Sequence, residues 1–368
     1  MTPGYPTDPV ADRQAQRWFE ASDPAAYVGS RHHTVPGFCL RRFAADGKRL
    51  LVWRRATGEV RLGSVDELSV RNFYTVLNKD GQFDGRMEQV LGTVEGEAAE
   101  VIKLLLLSAL RRPGPLTVDQ RSAICQLVAF QMVRGPRKRR EIELLGDYGW
   151  KMLAGGQLTK RDVRELTAVP HPNEHILMMG PVSYAIWRCL LPRPVQLIKL
   201  DTPLLVMSDE PVIVDTDEDV GHLPECSMTE AQQRRRQRRN GGGDAFRQVI
   251  HTWLTRPAGV EVAEAVAMPL SPSALLVFGA IGQQLQPEVL VTGDEARRLA
   301  DGVNAALISQ AYDWIAASPD HPTFAEWSFP EPTPLLGVCD GGSIMSEQLK
   351  SAPLHRWQRI RKDWPGAL

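Results

Sequence analysis

Seven polar residues stand where the surrounding pattern predicts apolar ones or plain surface: His32, His33, Glu95, Gln131, Arg134, Arg137 and Asp209. A polar group on an apolar stripe is more informative than an exposed one. Gln131 lies three residues after Val128, four after Leu127 and seven after Ile124, and Arg134 lies three after Gln131 and seven after Leu127. Helical spacing therefore sets both on or beside a buried face. A buried arginine needs an anion or a set of acceptors, because an unpaired charge there costs several kcal/mol. Arg137 follows across Gly135-Pro136. Glu95 stands four after Leu91 and three before Ala98, bordering a helix seam, where it can pair with Arg134 or act as a general base. His32 and His33 are neighbours before Thr34-Val35-Pro36. In an extended segment they point to opposite faces, so at most one enters a given site. Its near-neutral pKa makes it the natural acid or base there. Ser208-Asp209-Glu210-Pro211 interrupts an apolar run. It reads as a side-chain-to-backbone turn, or as a strand end where Asp209 faces a pocket with Ser208 beside it. Asn304 shares a stripe with Leu307, Ile308 and Ala311, and fits either a substrate contact or a helix-to-loop hydrogen bond.

A histidine for proton transfer, carboxylates for base or metal duty and arginines for phosphate charge are the parts of phosphoester chemistry. The expectation is a hydrolase of nuclease or phosphodiesterase type, with Glu95 and Asp209 as ligands of one divalent ion, magnesium or manganese. A second reading is a non-catalytic module that binds a nucleotide or nucleic acid. A third makes Glu95 and Arg134 a lock between helices, with histidine and arginine as satisfied core groups. Arg234, Arg235, Arg236, Arg238 and Arg239 form a basic run before Asn240 and three glycines. Such a run can grip phosphates, or simply be solvated. His171-Pro172-Asn173-Glu174-His175 matches an inverted zinc-protease signature. Pro170 and Pro172 allow only a helix start there, so zinc is not expected. The chain has no Walker A loop, no G-x-S-x-G elbow and no G-x-G-x-x-G after a strand, which argues against three large enzyme classes.

The elements that must position these groups follow from periodicity. The chain has 368 residues, 43% hydrophobic and 24% charged, with a net charge of -1. That supports a real core and excludes a polycation or a disordered chain. Five dispersed cysteines (Cys39, Cys125, Cys189, Cys226, Cys339) without Cys-x-x-Cys suggest reduced thiols. No apolar run approaches 18 residues, and Met1 to Tyr27 lacks an apolar signal core, so a cytoplasmic protein without a membrane span is expected.

Residues 1–30 read as an arm, with one short helical stretch near Trp18. Residues 31–65 read as β structure, with a hairpin of Leu50–Trp53 and Val60–Val65. Spacings of three and four predict a helix over residues 86–112. Thr117-Val118-Asp119-Gln120 predicts a capped second helix, and Pro136 opens a third that reaches Trp150. Helical pieces follow near Lys160–Thr167 and His175–Met179, then strands at residues 195–200, 204–207, 212–214 and 262–280. Residues 215–245 read as a mobile loop, residues 294–317 as a last helix, and residues 321–368 as an irregular tail. The sum is an α+β domain over residues 31–320: helices packed with a small, mostly antiparallel sheet assembled from distant segments.

Several motifs, taken in order, resemble a bacterial family of unknown function. They begin with His32-His33-Thr34-Val35-Pro36 and Leu40-Arg41-Arg42-Phe43, then Phe73-Tyr74, Glu95 and Gln131-Met132-Val133-Arg134-Gly135-Pro136-Arg137. Ser208-Asp209-Glu210-Pro211, Pro269-Leu270-Ser271-Pro272 and Asn304 complete them. Gly37 and Cys39 stand where larger residues look usual in that family. The resemblance implies where a site lies and lends no activity.

Overall fold

The computed structural model describes residues 20–78, 80–107, 115–154, 171, 173–215, 249–252, 260–261, 263–327, 329 and 336–339. It is an α+β fold. The strands are β1 (Arg31–His33), β2 (Arg49–Arg54), β3 (Glu59–Ser64), β4 (Ser69–Arg71), β5 (Val76–Leu77), β6 (Phe83–Asp84), β7 (Val195–Leu200) and β8 (Met207–Ser208). They continue with β9 (Ile213–Asp215), β10 (Val249–Thr252), β11 (Ala265–Ser271), β12 (Ala274–Phe278), β13 (Glu288–Val291), β14 (Trp314–Ala317) and β15 (Leu336–Cys339). The α-helices are α1 (Gly37–Phe43), α2 (Arg86–Leu106), α3 (Val118–Val133), α4 (Pro136–Ala154), α5 (Asn173–Leu190) and α6 (Gly293–Gln310).

Two sheets carry the frame. One runs β13-β7-β12-β11-β9, antiparallel except where β13 lies parallel to β7. The other runs β3-β2-β14-β8 and is antiparallel throughout. Its centre is β14, where Ile315 faces Trp53 on one side and Ser208 on the other. All four residues of β14 are buried. Such a strand lacks alternation, which explains why the sequence reads on as helix to residue 317 while α6 stops at Gln310. Ala311 is the cap at which α6 ends.

The helical layer forms as its sequence dictates. Thr117 Oγ1 accepts from the Gln120 amide and the Gln120 side chain accepts from the Thr117 amide, closing the capping box of α3. Pro136 opens α4, where a missing N–H costs nothing. The stripe Met87, Leu91, Val94, Ala98, Val101 and Leu105 of α2 is buried as its period requires. Apart from Val94, it packs into one core with Ile124, Leu127 and Val128 of α3 and Ile176 and Met179 of α5.

Residues 37–43 are helical, not extended. Cys39, Leu40 and Phe43 are the buried ones, a spacing of three and four that a short Pro-led helix satisfies. Only Met207 of the expected strand at residues 204–207 pairs, and β13 went unrecognised because its burial is slight. Four residues of the expected tail form β15, paired antiparallel with β10. The short helix expected near Trp18, the piece expected at residues 160–167, the end of the expected first helix beyond residue 107 and the loop expected at residues 215–245, apart from Asp215, lie outside the described residues.

Candidate functional site

The sequence candidates gather in two neighbouring clusters, one behind each side of the α3–α4 junction. Arg134 is the C-cap of α3 and its guanidinium is buried. It donates from Nη1 to Glu95 at 2.6 Å, from Nε to the Tyr74 hydroxyl at 3.0 Å and from Nη2 to the His33 carbonyl. Tyr74 in turn donates to the Arg134 carbonyl at 3.2 Å. The guanidinium is thus bonded on every nitrogen and ties α2, α3 and β1 together.

His32 is fully buried and stacked on Tyr74. The Tyr74 amide donates to its Nδ1 at 2.9 Å, so the ring proton sits on Nε2 and faces the Tyr27 carbonyl at 3.2 Å. His33 lies on the other face of β1. Its Nε2 is shielded and has no hydrogen-bond partner among the described residues. Burial lowers its pKa, against a bond to the Val65 backbone and the pull of Asp66 and Glu95.

Glu88, seven residues before Glu95 on α2, completes this cluster. Burial pushes its carboxyl up to about 7, with Arg134 pulling down and Glu95 pushing up. Its Oε2 has no hydrogen-bond partner among the described residues. Sequence reading missed Glu88, although the interval of seven to Glu95 was a visible signal for a shared face. It named Tyr74 only within a motif.

Gln131 links the two clusters. Its Nε2 donates to the Thr34 carbonyl at 2.8 Å, next to His33, and its side chain lines a pocket on the other side with Arg137, Glu210 and Gln310. Arg137 donates from Nη1 to the Gln310 carbonyl at 2.8 Å. The Arg137 amide, in the first turn of α4, donates to Glu210 Oε1 at 3.1 Å. The carboxylate can come this close because residue 135 is glycine, where a Cβ would stand 2.4 Å from Glu210 Oε1. Desolvation and Asp209 push the Glu210 carboxyl up, against Arg137. Glu210 and Gln310 carried no separate signal in the sequence beyond their neighbours.

Asp209 is buried beneath this pocket. Its two carboxylate oxygens accept from the amides of Tyr312 and Asp313, which fixes the entry to β14. Burial and Asp313 push its pKa up, opposed by those amides. Ser208 makes the local turn, donating to the Glu210 carbonyl at 2.8 Å. Asn304 accepts from the Val206 amide at 3.1 Å and donates to the Leu204 carbonyl at 2.8 Å, holding residues 204–206 against α6. His175 accepts from Arg139 Nε on Nδ1 at 3.0 Å and meets the Val133 carbonyl with Nε2 at 2.7 Å.

The basic residues Arg234, Arg235, Arg236, Arg238 and Arg239 lie outside the described residues. Among the described residues no group of three or more His, Cys, Asp or Glu is placed to hold a metal ion. Of the two expected ligands, Glu95 is engaged by Arg134 and Asp209 by backbone amides. No helix among the described residues is long and apolar enough to cross a membrane.

Comparison with known proteins gives this architecture a family. A model described as "Protein of unknown function (DUF4238)" matches residues 31–321. The chain belongs to that family. The match spans both clusters, from His32 to the end of β14. No curated protein and no solved structure matches the chain.

Proposed function

We propose that the chain is an enzyme acting on a phosphate-containing substrate, a hydrolase of phosphodiester or phosphomonoester type. One observation carries the reading. Glu88 and His33 border the same Arg134–Glu95 pair, each has a shielded polar atom with no partner among the described residues, and burial shifts both, His33 down from its ordinary range and Glu88 up to about 7. Groups so tuned are the acids and bases of active sites. His33, neutral above its lowered pKa, is the base. Glu88, protonated below about 7, is the acid. Arg134 orients both and is not a substrate ligand, since its nitrogens are already bonded. A divalent magnesium or manganese ion would come with the substrate, and Glu95 and Asp209, which lie in separate clusters, would have to leave Arg134 and the Tyr312 and Asp313 amides to contact it.

The test is a hydrolysis screen of single-stranded DNA, RNA, nucleotides and aryl phosphates with magnesium or manganese. Wild type is compared with His33→Gln and Glu88→Gln. Turnover should fall by about 100-fold or more in each folded variant, the usual contribution of a general acid or base. The rate should rise with pH as His33 loses its proton and fall above about pH 7 as Glu88 loses its own. No turnover, with nucleotide binding that weakens as salt rises, would favour the binding module instead. The bonded state of Arg134, His32 and Asp209 favours the third reading, a lock between helices with satisfied core groups.

A further inference from the structure

The pocket between α3 and α4 holds two buried polar groups with unmet capacity. Arg137 is 3% exposed. With Nη1 fixed on Gln310, its Nε and Nη2 have no hydrogen-bond partner among the described residues. Those two N–H groups form one edge of the guanidinium, the fork that takes an oxyanion through two parallel bonds. Glu141 Oε1 lies 3.8 Å from Nε, within ion-pair range but beyond hydrogen-bond length. Gln131 is 1% exposed, and its Oε1 also has no partner among the described residues. An amide oxygen can only accept, so it calls for a donor on the ligand.

The pocket therefore offers two donors from one arginine and one acceptor from a glutamine, with Glu141 and Glu210 in its wall. An ionised carboxylate or a sulfate has no proton to donate to Gln131 or to either acidic neighbour. A phosphate monoanion has free oxygens for the fork and a P–OH for the amide. We propose that this pocket binds a phosphate group as its monoanion, free or as a monoester, with two oxygens on the Nε/Nη2 edge of Arg137 and the P–OH donated to Gln131 Oε1. The inference rests on the reading above for its ligand class. Binding is measured without turnover, so the two fail separately.

The experiment is titration calorimetry of the full chain with inorganic phosphate, phenyl phosphate, sulfate and acetate at pH 6, near the second pKa of phosphate monoesters, about 6. At least one of the two phosphates should bind, and sulfate and acetate should bind at least 10-fold more weakly. Inorganic phosphate binding alone would mark a site for the free ion, and phenyl phosphate alone a monoester subsite. Arg137→Lys keeps the charge and removes the fork, and should weaken phosphate at least 10-fold. Gln131→Met keeps the volume and should erase the preference over sulfate. Circular dichroism checks each fold, and Arg137→Met replaces Arg137→Lys if that variant is unfolded. No phosphate binding, equal sulfate binding, or binding indifferent to folded variants at both positions overturns the proposal. Phosphate binding without any hydrolysis overturns only the catalytic reading.

Discussion

Arg134 caps the end of α3 and Arg137 lies in the first turn of α4, and both guanidiniums are out of water. Arg134 gives every nitrogen to a protein acceptor: Glu95, Tyr74 and the His33 carbonyl. Among the described residues, Arg137 hydrogen-bonds only through Nη1, to Gln310, and keeps a two-donor edge beside a Gln131 oxygen that has no partner there. Burial alone thus does not separate a structural arginine from a ligand-binding one. The separation lies in the donor count. A satisfied network specifies a packing arrangement, and an unsatisfied one marks capacity that folding did not consume.

The largest test of this contrast is stability. Arg134→Met leaves Glu95 and the His33 carbonyl without their cation and should lower unfolding free energy by about 3–5 kcal/mol in denaturant titration. Arg137→Met removes one bond to Gln310 and a long ion-pair contact to Glu141, which Lys138 still holds, and should lower it by only about 1–2 kcal/mol. A larger loss at Arg137 than at Arg134 would reverse the assignment.

Glu88 gives the next effect. Its carboxyl ionises at about 7 in the fold and near 4.5 when unfolded. Between those values the folded state holds a proton that the unfolded chain releases, so stability falls as pH rises. Glu88→Gln removes that penalty and should stabilise the protein by about 1–3 kcal/mol at pH 8 and little at pH 4, read from melts at both pH values.

The smallest effect concerns the wall of the pocket. Gly135→Ala drives the Glu210 carboxylate from the Arg137 amide and should destabilise by about 1 kcal/mol. Thermal melts check it. An unchanged midpoint would mean that Glu210 relaxes without loss.

The longer helices and the strands β2, β3, β7, β9, β11 and β12 were legible in the sequence because their periods are clean, as in α2, or punctuated, as at Thr117 and Pro136. What failed was β14, whose residues are buried on both faces and so carry no period, and α1, whose seven residues are too few to display one. At the site, Gln131 and Arg134 stood out because each breaks an apolar stripe, and Arg137 because it follows them across Gly135-Pro136. Glu88 did not, since an acidic residue in a first helical turn looks like ordinary dipole complementation. The division between Arg134 and Arg137 was not legible at all. It depends on Tyr74, Glu210 and Gln310, which reach the junction from remote segments.

The pairing of β2 with β14 also bears on how the chain is made. Arg54 bonds Asp313 across a separation of 259 residues. A ribosome adding about 5–20 residues each second needs roughly 13–52 s to cross that interval. Until then the β2 edge that β14 will cover stays open on the nascent chain. The layer of α2 and α3 can form before it, but this sheet closes only after β14 has been made. The growing polypeptide must therefore be shielded from strand capture by its neighbours throughout that interval.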